Sequence, residues 1–263
     1  MSGPLVVHRW SGERPAVMGL HGFTGSGLDF APLVESLGLS FLAPDLPGHG
    51  QSPLPAIPGS LGLQAQARRV EASWEQEKAE VLLGYSMGGR LALTIATRDR
   101  IPVSGLVLVG ATPGLADPAG RQQRRVEDAA LARHIREVGV EVFSGEWASR
   151  PIIASQRDIA SPHLEAMGRR RLKNVPEALA RSLEEAGTGS MQPLWGQLSG
   201  IRCPVLLLVG ERDPVYREIA GQMASRIPGA RVRVVAGAGH CAHLEQARIV
   251  GPWLEDFARS CVR

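Results

Sequence analysis

Short apolar runs recur along the chain, and most of them lead into a glycine. Leu5–Trp10 and Ala16–His21 come first, separated by the turn Ser11-Gly12-Glu13. Phe41–Pro44, Val81–Leu83, Ser104–Val109, Val205–Val209 and Arg231–Val235 follow. Runs this short, bounded by turn residues, predict strands. Between them lie stretches with apolar residues at helical spacing: Leu28–Leu37, Leu61–Glu77, Gly89–Leu93, Ile219–Arg226 and Leu244–Ala258. Strand and helix alternate up to Val109, and the strands are apolar almost throughout rather than at every second position. That combination predicts a mostly parallel sheet with helices on both faces.

The alternation stops at Pro113. From about Gly114 to Gly200 there is no convincing strand; Arg, Glu, Ala and Leu recur at helical spacing, as in Arg125–Val138. The pattern predicts a core made of residues 1–112 and 201–263, with residues 113–200 inserted as a helical lid over the strand ends. No internal repeat or low-complexity segment is visible.

Composition narrows the picture. With 263 residues and 44% hydrophobic content the chain can bury a sizeable core. It holds no apolar run of about 18 residues, the length a membrane span needs. Its start, MSGPLVVHRWSGERP, lacks the basic and apolar regions of a secretory signal. Cys203, Cys241 and Cys261 are an odd number without metal-ligand spacing. The expectation is a cytoplasmic protein with no metal and no cofactor. Cys241, beside His240, reads as a small space-filler rather than a reactive thiol. A net charge of +3 is too small to argue for nucleic acid. Lys78 and Lys173 are the only lysines, so arginine carries nearly all the positive charge, and arginine suits two-pronged carboxylate binding. Oligomeric state leaves no signal.

The candidate chemistry centres on Val81–Leu93, VLLGYSMGGRLAL. An apolar strand turns sharply through Gly84-Tyr85-Ser86-Met87-Gly88 into a helix. This is the G-x-S-x-G arrangement in its required strand–turn–helix context. It lifts Ser86 to a helix N-terminus, where orphan N–H groups favour negative charge. A plain N-cap serine would give the same local pattern, so the weight falls on partners elsewhere. Val205–Val209 ends in Gly210-Glu211-Arg212-Asp213, and the last strand is followed by Ala236-Gly237-Ala238-Gly239-His240. A serine hydroxyl cannot ionise alone. An imidazole must accept its proton, and a carboxylate must orient that imidazole. Ser86, Asp213 and His240 stand in suitable order; Glu211 and His243 compete for the last two roles, with His243 inside the start of the last helix. His49, in the Pro/Gly loop Asp45–Ser52, reads as structural. The loop His21–Gly27 follows a buried strand and lacks the phosphate-binding motifs. It is placed to give a second oxyanion donor, with the Phe23 N–H as candidate beside that of Met87.

These residues resemble the α/β-hydrolase fold family and, more narrowly, the 2-succinyl-6-hydroxy-2,4-cyclohexadiene-1-carboxylate synthases of menaquinone biosynthesis. The resemblance rests on LHGFTGSG (Leu20–Gly27), GYSMGGRLAL (Gly84–Leu93), PIIASQ (Pro151–Gln156), GTGSMQPLW (Gly187–Trp195), GERD (Gly210–Asp213) and AGAGHCAHLE (Ala236–Glu245). It implies a lyase that eliminates pyruvate from 2-succinyl-5-enolpyruvyl-6-hydroxy-3-cyclohexene-1-carboxylate, a small polycarboxylate. It also implies substrate contacts from Tyr85, Arg90, Arg124, Trp147 and Arg171, with Arg125, Arg169 and Arg170 as adjacent alternatives. The rival expectations are a serine esterase or C–C bond hydrolase of the same fold, acting through an acyl-enzyme, and a hydrolase-like receptor.

Overall fold

A computed structural model describes residues 3–262. Residues 1–2 and 263, the outermost positions of the predicted core segments, lie outside the described residues. Seven strands form one sheet: β1 (Val7–Trp10), β2 (Glu13–Leu20), β3 (Leu39–Pro44), β4 (Val81–Tyr85), β5 (Gly105–Val109), β6 (Val205–Gly210) and β7 (Arg231–Val235). Their order is β1-β3-β2-β4-β5-β6-β7. All neighbours pair in parallel except β1 with β3.

The helices are α1 (Ala31–Val34), α2 (Leu63–Glu77), α3 (Met87–Arg98), α4 (Pro118–Ser149), α5 (Ser161–Arg171), α6 (Pro176–Ala186), α7 (Pro214–Ala224), α8 (Ala242–Glu245) and α9 (Ala247–Cys261). The central strands are buried on both faces because their side chains alternate between two cores. Leu82, Leu106, Leu108 and Leu207 pack with α2, α3 and α7; Leu83, Val107, Val109 and Leu208 pack with Leu33 of α1 and with α8 and α9. Strand β7 is the exception. It is an edge with Arg231 and Arg233 exposed, charges that discourage pairing with another chain.

Between β5 and β6 the described residues form only helices and turns. Ala132, Ile135 and Phe143 of α4 pack on Leu179, Ala180 and Leu183 of α6, a small core separate from those of the sheet. Helix α4 kinks at Gly139, whose φ of 76° and ψ of 174° are non-helical. Among the described residues no helix is long and apolar enough to cross a membrane.

Two predicted helices are divided. Leu28–Leu37 is a 3₁₀ turn, Gly27–Phe30, followed by the single turn of α1. Pro32 is the cause, because its ring clashes with the carbonyl four residues earlier in a continuous α-helix. Leu244–Ala258 falls across α8 and α9, which meet at Gln246. Glu245 reaches back to accept from the N–H groups of Gly239 and Cys241 and from the Ser155 hydroxyl, which holds α8 as its own turn.

Candidate active site

The sharp turn between β4 and α3 forces Ser86 to φ 51°, ψ −108°, a left-handed conformation that costs a non-glycine residue about 1–3 kcal/mol. Its flanking glycines are required by contact. A Cβ on Gly84 would lie 2.4 Å from the Gly88 carbonyl oxygen, and one on Gly88 would lie 2.1 Å from that of Leu20. The turn is anchored by the Ser86 N–H, which donates to the Val109 carbonyl at 2.9 Å. Ser86 stands at the N-cap of α3, yet its hydroxyl makes no capping bond. It lies instead 3.0 Å from His240 Nε2, and His240 Nδ1 lies 2.7 Å from Asp213 Oδ2. The geometry fits a neutral imidazole that donates from Nδ1 and accepts the serine proton at Nε2.

Each partner is held by its own element. Asp213 caps α7 with Oδ1, which accepts from the Tyr216 N–H at 3.3 Å, leaving Oδ2 for His240. The His240 loop closes over the end of β6, where the Arg212 N–H donates to the Ala238 carbonyl at 2.9 Å. Glu211, the rival acid, accepts from the Gly237 N–H at 2.9 Å and so braces this loop instead. The His240 ring is 3% exposed, and the Tyr216 ring packs against it with centroids 4.4 Å apart.

His49 and His243 are also buried and do not touch the serine. His243 packs on Tyr85 and Phe30, and His49 on His21 and Phe23; burial pushes both down to about 3. Cys241 is 1% exposed and its thiol is pushed up by burial, which favours the inert thiol form.

The Phe23 loop is pinned by His21. Its Nε2 accepts from the Leu46 N–H at 2.9 Å, so the proton sits on Nδ1, 2.8 Å from the Gly22 carbonyl. Burial holds His21 below its usual range and neutral. Asn174 adds a bond from the insertion to the Thr24 carbonyl at 2.9 Å. Phe23 and Met87 then border the same cavity as Ser86.

That cavity has a volume of about 670 Å³. Core and insertion both line it: Ser86, Met87, Arg90, Tyr216 and His240 from the core, and Arg124, Asp128, Trp147 and Arg150 from the insertion. Arg90 is 9% exposed. It donates to the Ala186 carbonyl, has no carboxylate within ion-pair distance among the described residues, and is pushed down to about 10, chiefly by burial. Arg124 donates from Nε to Asp128 at 2.8 Å. The Trp147 ring stands edge-on to Phe23, with Arg150 over its face.

Arg90, Arg124 and Trp147 therefore share the serine's cavity, whereas Tyr85 and Arg171 do not. These two border a separate cleft of about 20 Å³, with Gln156, Cys241 and His243. Tyr85 is the last residue of β4, and its ring packs with His243 and the α8/α9 side of the sheet core, whereas Ser86 lies in the turn beyond the strand. Arg171 is drawn toward that side by Gln156, 3.0 Å from its Nη2, and burial lowers its pKa. The adjacent arginines are engaged elsewhere: Arg125 with Gly189, Arg169 with Glu165 and Arg170 with Asp29. Asp128, Arg150 and Tyr216 were missed from the sequence. The Arg124/Asp128 spacing of four on a predicted helix was a readable signal for the first; nothing comparable marked Arg150.

Comparisons with known proteins agree with this architecture. The model of the alpha/beta hydrolase family matches residues 17–251. A Bacillus subtilis (strain 168) protein provisionally named 2-succinyl-6-hydroxy-2,4-cyclohexadiene-1-carboxylate synthase is 37% identical over 248 residues, 93% of this chain and 90% of that protein. A synthase of the same name from Salmonella schwarzengrund is 34% identical over 233 residues, 88% of each chain. Among solved structures, MenH from S. aureus superposes with a TM-score of 0.91 at 27% identity, covering 98% of this chain and 99% of that one. A malate-bound thermophilic esterase from Thermogutta terrifontis gives 0.83 at 26% identity, covering 98% and 94%. The chain belongs to the alpha/beta hydrolase family and, within it, to the family of the 2-succinyl-6-hydroxy-2,4-cyclohexadiene-1-carboxylate synthases.

Proposed function

We propose that this protein is a lyase that eliminates pyruvate from 2-succinyl-5-enolpyruvyl-6-hydroxy-3-cyclohexene-1-carboxylate, and that Ser86, His240 and Asp213 supply the base. The observation that carries this reading is a joined Ser86–His240–Asp213 chain opening on a cavity with unneutralised Arg90 in its wall. Buried arginine without a carboxylate partner is costly unless an anion completes it, and a polycarboxylate would. Arg90 and Arg124 grip carboxylates, Trp147 covers the ring, and the insertion, residues 113–200, acts as a lid that excludes water.

The chemistry balances without an acyl-enzyme. The ring proton α to the succinyl ketone is acidic because its loss is delocalised onto the ketone oxygen. Ser86 removes that proton as its own passes to His240, and Asp213 stabilises the imidazolium. The Phe23 and Met87 N–H groups hold the enolate oxygen; one such donor typically contributes about 10²–10³ in rate. The electron pair then moves through the ring double bond and expels the enolpyruvyl oxygen. A conjugated 2,4-diene forms, and protonated enolpyruvate becomes pyruvate.

The second reading, an esterase acting through acyl-Ser86, is favoured by likeness to the malate-bound esterase; the same three side chains can serve as nucleophile and base. A lactate-dehydrogenase-coupled pyruvate assay with the enolpyruvyl compound, run beside a panel of simple esters, separates the two. Pyruvate release far exceeding ester cleavage supports the lyase; ester cleavage without pyruvate supports the esterase.

A further inference from the structure

Asp128 has no part in the elimination just described, yet it is built into the cavity wall. It is 3% exposed. Oδ1 accepts from Arg124 Nε at 2.8 Å, one helical turn earlier on α4. Oδ2 is buried with no hydrogen-bond partner among the described residues. A half-satisfied buried carboxylate in a site for anions is doubly unfavourable, so its presence calls for a compensating role.

The geometry of the guanidinium supplies one. Its five donors form a planar fork, which can meet a carboxylate through Nε with one Nη or through the two Nη groups together. Asp128 occupies Nε and leaves the second mode. Arg124 would otherwise be loosely held, since its side chain is 43% exposed while that of Asp128 is 4% exposed. The end of α6 lies close against Asp128: a Cβ on Gly187 would lie 2.3 Å from its Oδ2. The preceding residue, Ala186, takes the Arg90 guanidinium. One short segment thus touches Arg90 directly and lies against the carboxylate that holds Arg124. Asp128 also offsets the repulsion between them, its charge acting on Arg90 against that of Arg124.

We propose that Asp128 is a positioning residue for Arg124, holding the guanidinium by Nε so that its two Nη groups meet a substrate carboxylate end-on. The proposal rests on the reading that this cavity takes a polycarboxylate.

The test is a double-mutant cycle of Asp128→Ala and Arg124→Ala, with Asp128→Asn as the conservative variant. It is read twice: on kcat/KM for pyruvate release, and on calorimetric binding of 4-oxo-4-phenylbutanoate, an aryl ketone with one carboxylate arm. A charged hydrogen bond of this kind corresponds to about 10- to 100-fold. Asp128→Ala should weaken probe binding and kcat/KM by that factor, mainly through KM, and Asp128→Asn should recover most of it. In the Arg124→Ala background the loss should shrink to less than about twofold. An equal loss in both backgrounds would make Asp128 a merely structural residue and overturn the proposal. So would unchanged binding in folded Asp128→Ala, or no probe binding to the wild type. If Asp128→Ala does not fold, the same cycle is closed with Asp128→Leu, which fills a similar volume without an acceptor, judged by the same criterion. Probe binding with a coupled cycle but no pyruvate release would overturn the lyase reading and leave this one standing.

Discussion

Replacing Arg90 by methionine separates a residue kept for ligand binding from one kept for the fold. Burial pushes the guanidinium from 12.5 down to about 10, which corresponds to about 3 kcal/mol against the charged form. Methionine has a similar reach and no charge, so that cost disappears. Against it stands the Ala186 carbonyl, which loses its donor; a buried unsatisfied carbonyl costs about 1–3 kcal/mol. The balance runs from no change to a gain of about 2 kcal/mol in stability, a rise of a few degrees at most in the unfolding midpoint. Binding moves the other way. Losing the buried grip on a carboxylate costs about 2–5 kcal/mol, so kcat/KM should fall by about 30-fold or more. Urea and thermal unfolding, with and without 4-oxo-4-phenylbutanoate, give the first quantity, and coupled kinetics the second. The variant should be at least as stable as the wild type without the probe and gain little from adding it. A variant that loses more than about 2 kcal/mol of stability yet keeps kcat/KM within about threefold would refute the reasoning and make Arg90 a structural tie to α6.

Two further predictions concern the fold. Gly88→Ala places a Cβ 2.1 Å from the Leu20 carbonyl oxygen, a backbone atom that cannot yield; urea unfolding should show a loss of about 3 kcal/mol or more, whereas Gly145→Ala, with open space around it, should cost nothing measurable. Burial holds His49 and His243 at about 3 in the folded protein, against about 6.5 when unfolded. The unfolded chain therefore binds more protons below 6.5, and stability present above that pH is lost as pH falls toward 3, by about 1.4 kcal/mol per pH unit for each histidine. Urea unfolding at pH 7.5, 6 and 5 should show the decline; a flat profile contradicts the assignment of these rings as buried and neutral.

The sheet was legible because its central strands are buried on both faces and so read as unbroken apolar runs. The three central side chains were legible for a different reason. Ser86 announces itself through its glycines, and Asp213 and His240 each sit immediately beyond a strand's C-terminal end. What the sequence did not reveal were directions. Tyr85 and Ser86 are adjacent in the chain yet border different cavities. Arg169, Arg170 and Arg171 are consecutive on one helix, so successive side chains leave about 100° apart and reach three surroundings. A one-dimensional motif records such residues as a cluster, and only packing separates them. Arg150 is the converse case: it reaches the cavity through the irregular turn after α4, where no periodicity exists to read.

The proposed elimination depends on the Ser86 oxygen acting as the base that His240 and Asp213 make available. The most direct measurement is pyruvate release by Ser86→Ala under conditions that saturate the wild type. The substitution keeps the Cβ and the strained turn, so the protein should fold and still bind the carboxylate probe. Pyruvate formation should fall by about 10³-fold or more; full turnover by the folded variant would contradict the account.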